Sequence, residues 1–413
     1  MILFKLIHES FLFAIGSLVV NKVRTILSLL GITIGIFSII AVFTVFDNLE
    51  NSIMSEINSL GNDVLFIQKW PWAMGGDYPW WKYWQRPEPR LHEMKQIVKR
   101  SNTVDKAAFM FSVSRNVYYR NNVVENTQVM AVSHDYINVL SLEIGEGRFF
   151  TEMESYSGDN VAILGYDIAK NLFGNSDAIG KRVKILGRKL NVIGVVKRKG
   201  DDIFGNSPDK LVYVPAVFAK SLVDYRHIGT TIIVKAKPNV SLDEMKDELT
   251  GIMRSIRKLK PAADDNFALN QTDVISKGFD QLFGIIGIVG WIIGGFSLLV
   301  GGFGIANIMF VSVKERTNQI GIQKALGARN YFILLQFLFE AVFLSLLGGI
   351  VGLLLVLILT WIMSGFFDFA MTLSVKNIVL GLTVSALIGF VSGFIPSWSA
   401  SRLDPVEAMR SSF

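Results

Sequence analysis

Residues 315 to 329 read Glu315-Arg316-Thr317-Asn318-Gln319-Ile320-Gly321-Ile322-Gln323-Lys324-Ala325-Leu326-Gly327-Ala328-Arg329, a charged stretch between two long apolar runs. The run before it, Leu282 to Val313, has no charged residue, and the run after it, Tyr331 to Ser364, has only Glu340. Apolar runs of that length cross a bilayer, so the stretch lies where two spans leave the membrane on the same side. Ile322, Ala325 and Leu326 recur at i, i+3 and i+4 and share one face of a predicted helix, with Gln323 and Lys324 beside it. Such a face at a membrane surface suits a soluble partner, and the stretch reads as a docking element, not a linker.

Composition supports a membrane protein. Of 413 residues 51% are hydrophobic and only 18% are charged, and the mean hydropathy is +0.41. The formal charge of +6 sits beside membrane runs, where a basic excess anchors cytoplasmic loops; it does not call for nucleic acid. No cysteine occurs, so disulfides and thiolate metal sites are excluded and the redox compartment is not readable from thiols.

Four runs have the length of spans: residues 26–47, 282–313, 333–363 and 378–398. Lys22 and Arg24 precede the first and Asp47 and Glu50 follow it, which places the N-terminus in the cytoplasm. The run is long for the apolar core of a signal peptide, and no small-x-small cleavage site follows it. The segment before it, residues 1–25, reads as amphipathic and surface-bound on the cytoplasmic side, its apolar pattern over Ile2 to Val20 broken by Lys5, His8, Glu9 and Ser10. Alternation then puts residues 48–281 outside, the loop 314–330 inside, a short outer loop around Asp368, and the C-terminus inside with Arg402 and Arg410. Every span carries a small-xxx-small pair: Gly31 with Gly35, Gly290 with Gly294, Gly348 with Gly352, and Gly389 with Gly393. These pairs let helix backbones approach closely, and their recurrence favours a tight bundle and a dimer.

The fold class expected is therefore a membrane protein of four transmembrane α-helices with a large α+β extracytoplasmic domain inserted between the first and second. In that insert Asp63 to Gln68, Val161 to Leu164, Val183 to Leu186, Asn191 to Val196, Leu211 to Val214 and Thr230 to Lys235 read as strands, and Leu91 to Arg100 and Leu242 to Lys258 as helices. The loop from Trp70 to Arg90 holds five of the eight tryptophans, Trp70, Trp72, Trp80, Trp81 and Trp84. Amphipathic rings in a Pro- and Gly-containing loop point to contact with lipid or a partner, against the alternative of packing on their own domain.

Catalytic constellations are missing. Gly180-Lys181 is followed by Arg182 where a phosphate loop needs Ser or Thr, and Asn175 stands where its leading glycine would fall. His8-Glu9 and His92-Glu93 begin like a zinc-protease motif, but Leu12 and Gln96 replace the second histidine. No Gly-x-Ser-x-Gly elbow occurs, and four dispersed histidines make no metal site. No cofactor is expected on this chain. Glu340, the one acid well inside a span, is a candidate proton relay, but its place near the end of its helix favours pairing with a nearby base.

The stretch 315–329, with Asn307 to Lys314 before it and Gln336-Phe-Leu-Phe-Glu340 after it, resembles the MacB and FtsX superfamily of ABC-transporter permeases. The matching positions are Glu315, Arg316, Thr317, Ile320, Gly321, Ile322, Lys324, Ala325, Gly327 and Ala328; the chain departs at Gln323, where the family usually has Arg. Asn21 to Leu27 with Gly31-Ile32 match at one end, and Pro396, Ala400, Leu403-Asp-Pro405 and Ala408-Met-Arg410 at the other. Gly147 to Phe150, Leu172 to Gly174, Ile179 to Lys181 and Val192 to Val195 resemble the family's periplasmic core domain.

The resemblance implies a porter-like part at about residues 48–118 and 228–281, an inserted part at about 119–227, and a permease domain over 282–413. It implies a multi-pass protein of the bacterial inner (plasma) membrane working as a homodimer or paired permease with a separate ABC ATPase that holds the ATP and Mg. A membrane-fusion adaptor and membrane lipids complete the implied partners, without nucleic acid. Motion of the ATPase would push on Glu315 to Ala328, including Leu326, and pass through the membrane to the outer domain as mechanotransmission. The implied cargo is a drug, peptide or lipoprotein-like substrate. The alternatives are a non-transporting receptor or scaffold, or a regulator of cell-wall hydrolases.

Overall fold

The computed structural model describes residues 22–59, 61, 63–72, 78–174, 176–201, 207–366 and 371–410. The expected amphipathic stretch Ile2 to Val20 and the loop at Asp368 lie outside them. The chain divides into two units, Met1–Glu50 with Leu282–Phe413, and Asn51–Gln281. Among the described residues four helices are long and apolar enough to cross a membrane, and an α/β domain stands between the first and second in the chain. Their ranges are α1, Lys22–Ser59, and, after the smaller helices α2 (Leu91–Arg100), α3 (Tyr166–Phe173) and α4 (Leu242–Ile256), α5, Thr272–Glu315. Beyond α5 come α6 (Thr317–Ala325), α7 (Asn330–Phe366), α8 (Val375–Ser401) and α9 (Pro405–Arg410).

The Asn51–Gln281 unit is built on one ten-stranded sheet. Its strands are β1 (Val64–Gln68), β2 (Val104–Tyr119), β3 (Asn122–Val132), β4 (Ile144–Gly147), β5 (Val161–Leu164), β6 (Arg182–Ile185), β7 (Arg188–Val196), β8 (Leu211–Pro215), β9 (Thr231–Ala236) and β10 (Ala268–Gln271). The order is β10-β1-β9-β2-β3-β8-β5-β7-β4, with β6 on β2 and β7. Side chains alternate faces along a strand. Thus Leu65 and Ile67 enter one core with Ile232 and Val234, while Val64 and Phe66 enter another with Ile233. Apolar runs without alternation, such as Val64 to Ile67, mark strands covered on both faces.

Strand β2 changes partners along its length. Val104 to Met110 pair with β9, and Met110 to Tyr119 pair with β3. The switch falls at Met110. A long strand of one composition carries no mark of where its neighbour changes.

Helix α2 packs beside α4, which buries Met245, Leu249 and Met253 at successive fours. Between them Arg257 Nε donates to Glu93 Oε1 at 2.9 Å, with side-chain exposures of only 5% and 7%. Glu93 also accepts the Arg90 N–H at the start of α2 through Oε2, so this one carboxylate serves both a helix cap and an ion pair. At the other end of α2 the Glu248 carboxylate accepts from the Ser101 and Thr103 hydroxyls and from the Asn102 and Thr103 N–H groups. Burial pushes its pKa up, but these donors outweigh it and hold the group at about 2.

In the membrane unit α1 is the central element. Ile32, Ile36, Ile39 and Ile40 are buried against Leu298 and Ile305 of α5 and Leu353 and Val356 of α7. Helix α1 runs past Asp47 and Glu50, and α5 begins ahead of Leu282, because neither charge nor the edge of the hydrocarbon stops a helix. Gly61, with φ +94°, is the first strong break after α1. All eight paired glycines are contact points inside the chain. A Cβ on Gly31 would meet Gly301 Cα at 3.4 Å, one on Gly352 would meet Thr33 O at 3.0 Å and Phe37 N at 3.2 Å, and one on Gly389 would meet Val342 Cα at 2.8 Å. The recurrence read as favouring a dimer is thus accounted for by packing within one protomer.

Polar bonds support the same seams: Thr33 Oγ1 donates to Gly348 O at 3.1 Å, and Ser345 Oγ donates to Ser385 O. Gly352→Leu is expected to separate α1 from α7, since backbone atoms on the facing helix cannot step aside. Overpacking of this kind costs about 1–3 kcal/mol or more, read as a lower melting temperature of the full chain in detergent.

Candidate functional site

The stretch 315–329 is a short helix slung between two membrane helices. Helix α5 stops at Glu315, Arg316 turns the chain with φ −102° and ψ 12°, and α6 runs from Thr317 to Ala325. Its end is a Schellman motif. Ala328 N–H donates to Gln323 O and Gly327 N–H to Lys324 O, both at 3.0 Å. That turn needs a left-handed residue, and Gly327 supplies it at φ +97°. Thr317 Oγ1 donates back to Val313 O and Lys314 O, tightening the entry.

One side of α6 belongs to the bundle. Ile320 is buried in the membrane core, and Gly321 lies so near α9 that a Cβ would be 2.9 Å from Ala408 Cβ and 3.2 Å from Met409 N. Arg316 Nη1 donates to Glu340 Oε2 of α7 at 3.2 Å, and the Glu340 side chain is only 2% exposed. Glu340 therefore has a basic partner from the docking stretch itself. Lys324 Nζ donates to Ser401 O at 2.7 Å and to Leu403 O at 2.8 Å, at the end of α8. Burial pushes the Lys324 ammonium below its ordinary pKa, partly offset by Asp404.

The opposite side is bare. Ile322 is 49% and Leu326 84% exposed, and Ala325 is exposed between them. The three residues that share a helix face in the sequence are the apolar surface of α6, whereas Arg316, Ile320, Gly321 and Lys324 turn inward. In the sequence both sets belong to one coupling stretch, and nothing local marks what Lys324 holds. A signal was present at the tail: Asp404 followed by Pro405 is a helix start. Asp404 Oδ1 accepts the Val406 N–H at 2.8 Å, opening the helix that covers Gly321.

Elsewhere, no group of His, Cys, Asp or Glu among the described residues could hold a metal ion. A shallow cleft in the sheet domain is lined by Gly147, Arg148, Arg182 and Asn191. Its cations are engaged: Arg148 makes two 2.7 Å bonds to Glu154, holding that carboxyl at about 2, and Arg182 Nε donates to Asn191 Oδ1 at 3.1 Å.

Residues 25–252 match the family model of the MacB-like periplasmic core domain, and residues 291–405 match that of the FtsX-like permease C-terminal domain. The chain belongs to the MacB/FtsX-like ABC permeases. Both matched domains are of permease type, and the protein is a multi-pass membrane protein. Among relatives, the macrolide export ATP-binding/permease protein MacB of Neisseria meningitidis is 30% identical over 406 residues, 97% of this chain and 60% of that protein. The MacB of Chlorobium luteolum is 32% identical over 401 residues, 96% of this chain and 59% of that one. The permease chain thus spans about 60% of the length of the curated relatives it matches. Of solved structures, the periplasmic region of MacB from Actinobacillus actinomycetemcomitans is 19% identical with a TM-score of 0.45, covering 55% of this chain and 97% of that one. The extracellular domain of the noncanonic ABC-type transporter YknZ from Gram-positive bacteria is also 19% identical, with a TM-score of 0.38, covering 50% and 98%.

The tryptophan loop of this permease is divided between the two readings. The Trp72 ring lies tilted against Phe66 with centroids 5.0 Å apart and its backbone N–H donates to Asn270 Oδ1, and Trp70 lies edge-on to Tyr83 and Trp84. Trp80, Trp81 and Trp84 are 58%, 64% and 66% exposed. Exchange of Trp80 and Trp81 for Ser is expected to leave thermal stability within about 0.5 kcal/mol, the range of surface substitutions. Trp72→Ser should cost several-fold more, and unfolding of the full chain in detergent compares them.

Proposed function

We propose that this chain is the permease subunit of an ATP-driven ABC transporter, receiving force from a cytoplasmic ATPase on a separate chain and passing it to the extracytoplasmic domain. The observation that carries the reading is the two-sided helix α6: an apolar face of Ile322, Ala325 and Leu326 open to a partner, on a helix bonded inward to the ends of membrane helices. A helix with such anchors suits a groove on a soluble protein. The family membership supports an ABC ATPase as that protein, holding the ATP and Mg. The relatives named for macrolide export support an efflux role, with a drug, peptide or lipoprotein-like substrate. A homodimer and a membrane-fusion adaptor complete the proposed assembly. Both termini and α6 lie on the cytoplasmic side.

The test is a labelling experiment joined to a binding one. Because the chain has no cysteine, single cysteines report cleanly. Met153→Cys should react with an impermeant maleimide in intact cells and Asn318→Cys only after lysis. An ABC ATPase encoded beside the chain should bind it in detergent and protect Asn318→Cys from the reagent. Labelling of Asn318→Cys in intact cells would rule the reading out.

A further inference from the structure

Lys324 makes bonds that docking does not require. Its neighbours in sequence, Ile322, Ala325 and Leu326, face outward, yet its ammonium turns back to Ser401 O and Leu403 O. The carbonyls of a helix's last turn have no partner within the helix and carry the negative end of its dipole. A side chain from another helix here caps α8, whose own last turn has no basic residue. An ammonium with three donors and full charge suits the Ser401 carbonyl of that last turn together with the Leu403 carbonyl just beyond it. At the opposite end of α6, Arg316 reaches Glu340 on α7. Between these two fastenings Gly321 rests on α9. The exposed apolar face takes part in none of them.

We propose that Lys324 and Arg316 are positioning residues that tie α6 to two different membrane helices, so that force on its exposed face moves α8 and α7 together, and that neither side chain touches the ATPase. This rests on the reading of α6 as the ATPase-docking helix. It separates the basic residues of the 315–329 stretch from the docking surface and gives them the task of transmission. The lowered pKa of Lys324 agrees with an ammonium withdrawn from water into the chain.

The experiment uses the full chain in lipid nanodiscs with the ABC ATPase encoded beside it. A fluorophore sits on Val375→Cys, at the far end of α8 from Lys324's contacts. Two quantities are read for each variant: ATPase affinity, and the ATP-dependent spectral change at position 375. Lys324→Met is expected to bind the ATPase within about twofold of the parent while the ATP-dependent change falls about tenfold, the scale of a residue that carries coupling but not contact. Lys324→Arg, which can still donate to both carbonyls, should restore it. Arg316→Lys keeps the charge beside buried Glu340 and shortens the reach; it should show the same split, and it serves if Lys324→Met does not fold.

If Lys324→Met weakens binding in step with Leu326→Asp, Lys324 is a docking residue and the proposal is overturned. A variant that binds and responds like the parent overturns it as well. If the parent itself neither binds the ATPase nor responds to ATP, the docking reading fails first and the tie falls with it.

Discussion

Leu326→Asp is expected to weaken binding of the ATPase by about thirtyfold or more, the effect of losing an anchor worth roughly 2 kcal/mol at the centre of a helix-in-groove contact. The side chain is 84% exposed, so no core contact is lost. A carboxylate at the end of α6 opposes the helix dipole by about 0.3–1 kcal/mol, and Leu326→Asn provides the uncharged control. Titration of the full-length variant with the ATPase, beside a melting curve, separates docking from folding. Undiminished binding by the aspartate variant would mean that α6 is not the site of contact.

The second large effect lies in the sheet domain. Glu93→Ala is expected to destabilise it by about 3–5 kcal/mol, because it leaves the Arg257 guanidinium buried without its counter-charge. A domain of this size loses roughly 2–4 °C per kcal/mol, so the drop should be plain in tryptophan fluorescence of the full chain, whose Trp70 to Trp84 loop reports on that domain. Asp224→Ala is the contrast. It removes a still shorter 2.7 Å pair with Arg226, but one with side-chain exposures of 54% and 70%, and should change nothing measurable. Equal effects from the two variants would mean that burial is not what gives the Glu93 pair its weight.

The spans and the exposed face of α6 were legible because both depend on local pattern: run length against bilayer thickness, and a recurrence of three and four. The glycine pairs were legible as close contacts, though the sequence does not say with which helix. What local pattern cannot carry is the direction a long side chain takes. Lys324 reads as one more surface cation until the end of α8, 77 positions away, is brought beneath it. The same holds for Glu93 and Arg257, an ion pair whose partners are separated by 164 positions. Strand β2 was missed because its alternation is weak: Ala107, Ala108 and Phe109 are buried in succession.

The partner exchange along β2 bears on how members of this family can be recombined. A graft that replaces only residues 120–227, to lend one permease the outer loops of another, would keep the strand's second half and discard the neighbour that pairs with it. That half would be left as an exposed edge of backbone donors and acceptors, the situation in which sheets recruit strands from other molecules. A soluble, folded chimera should therefore carry its junction back to Met110, so that the half-strand and its partner β3 travel as one inherited piece.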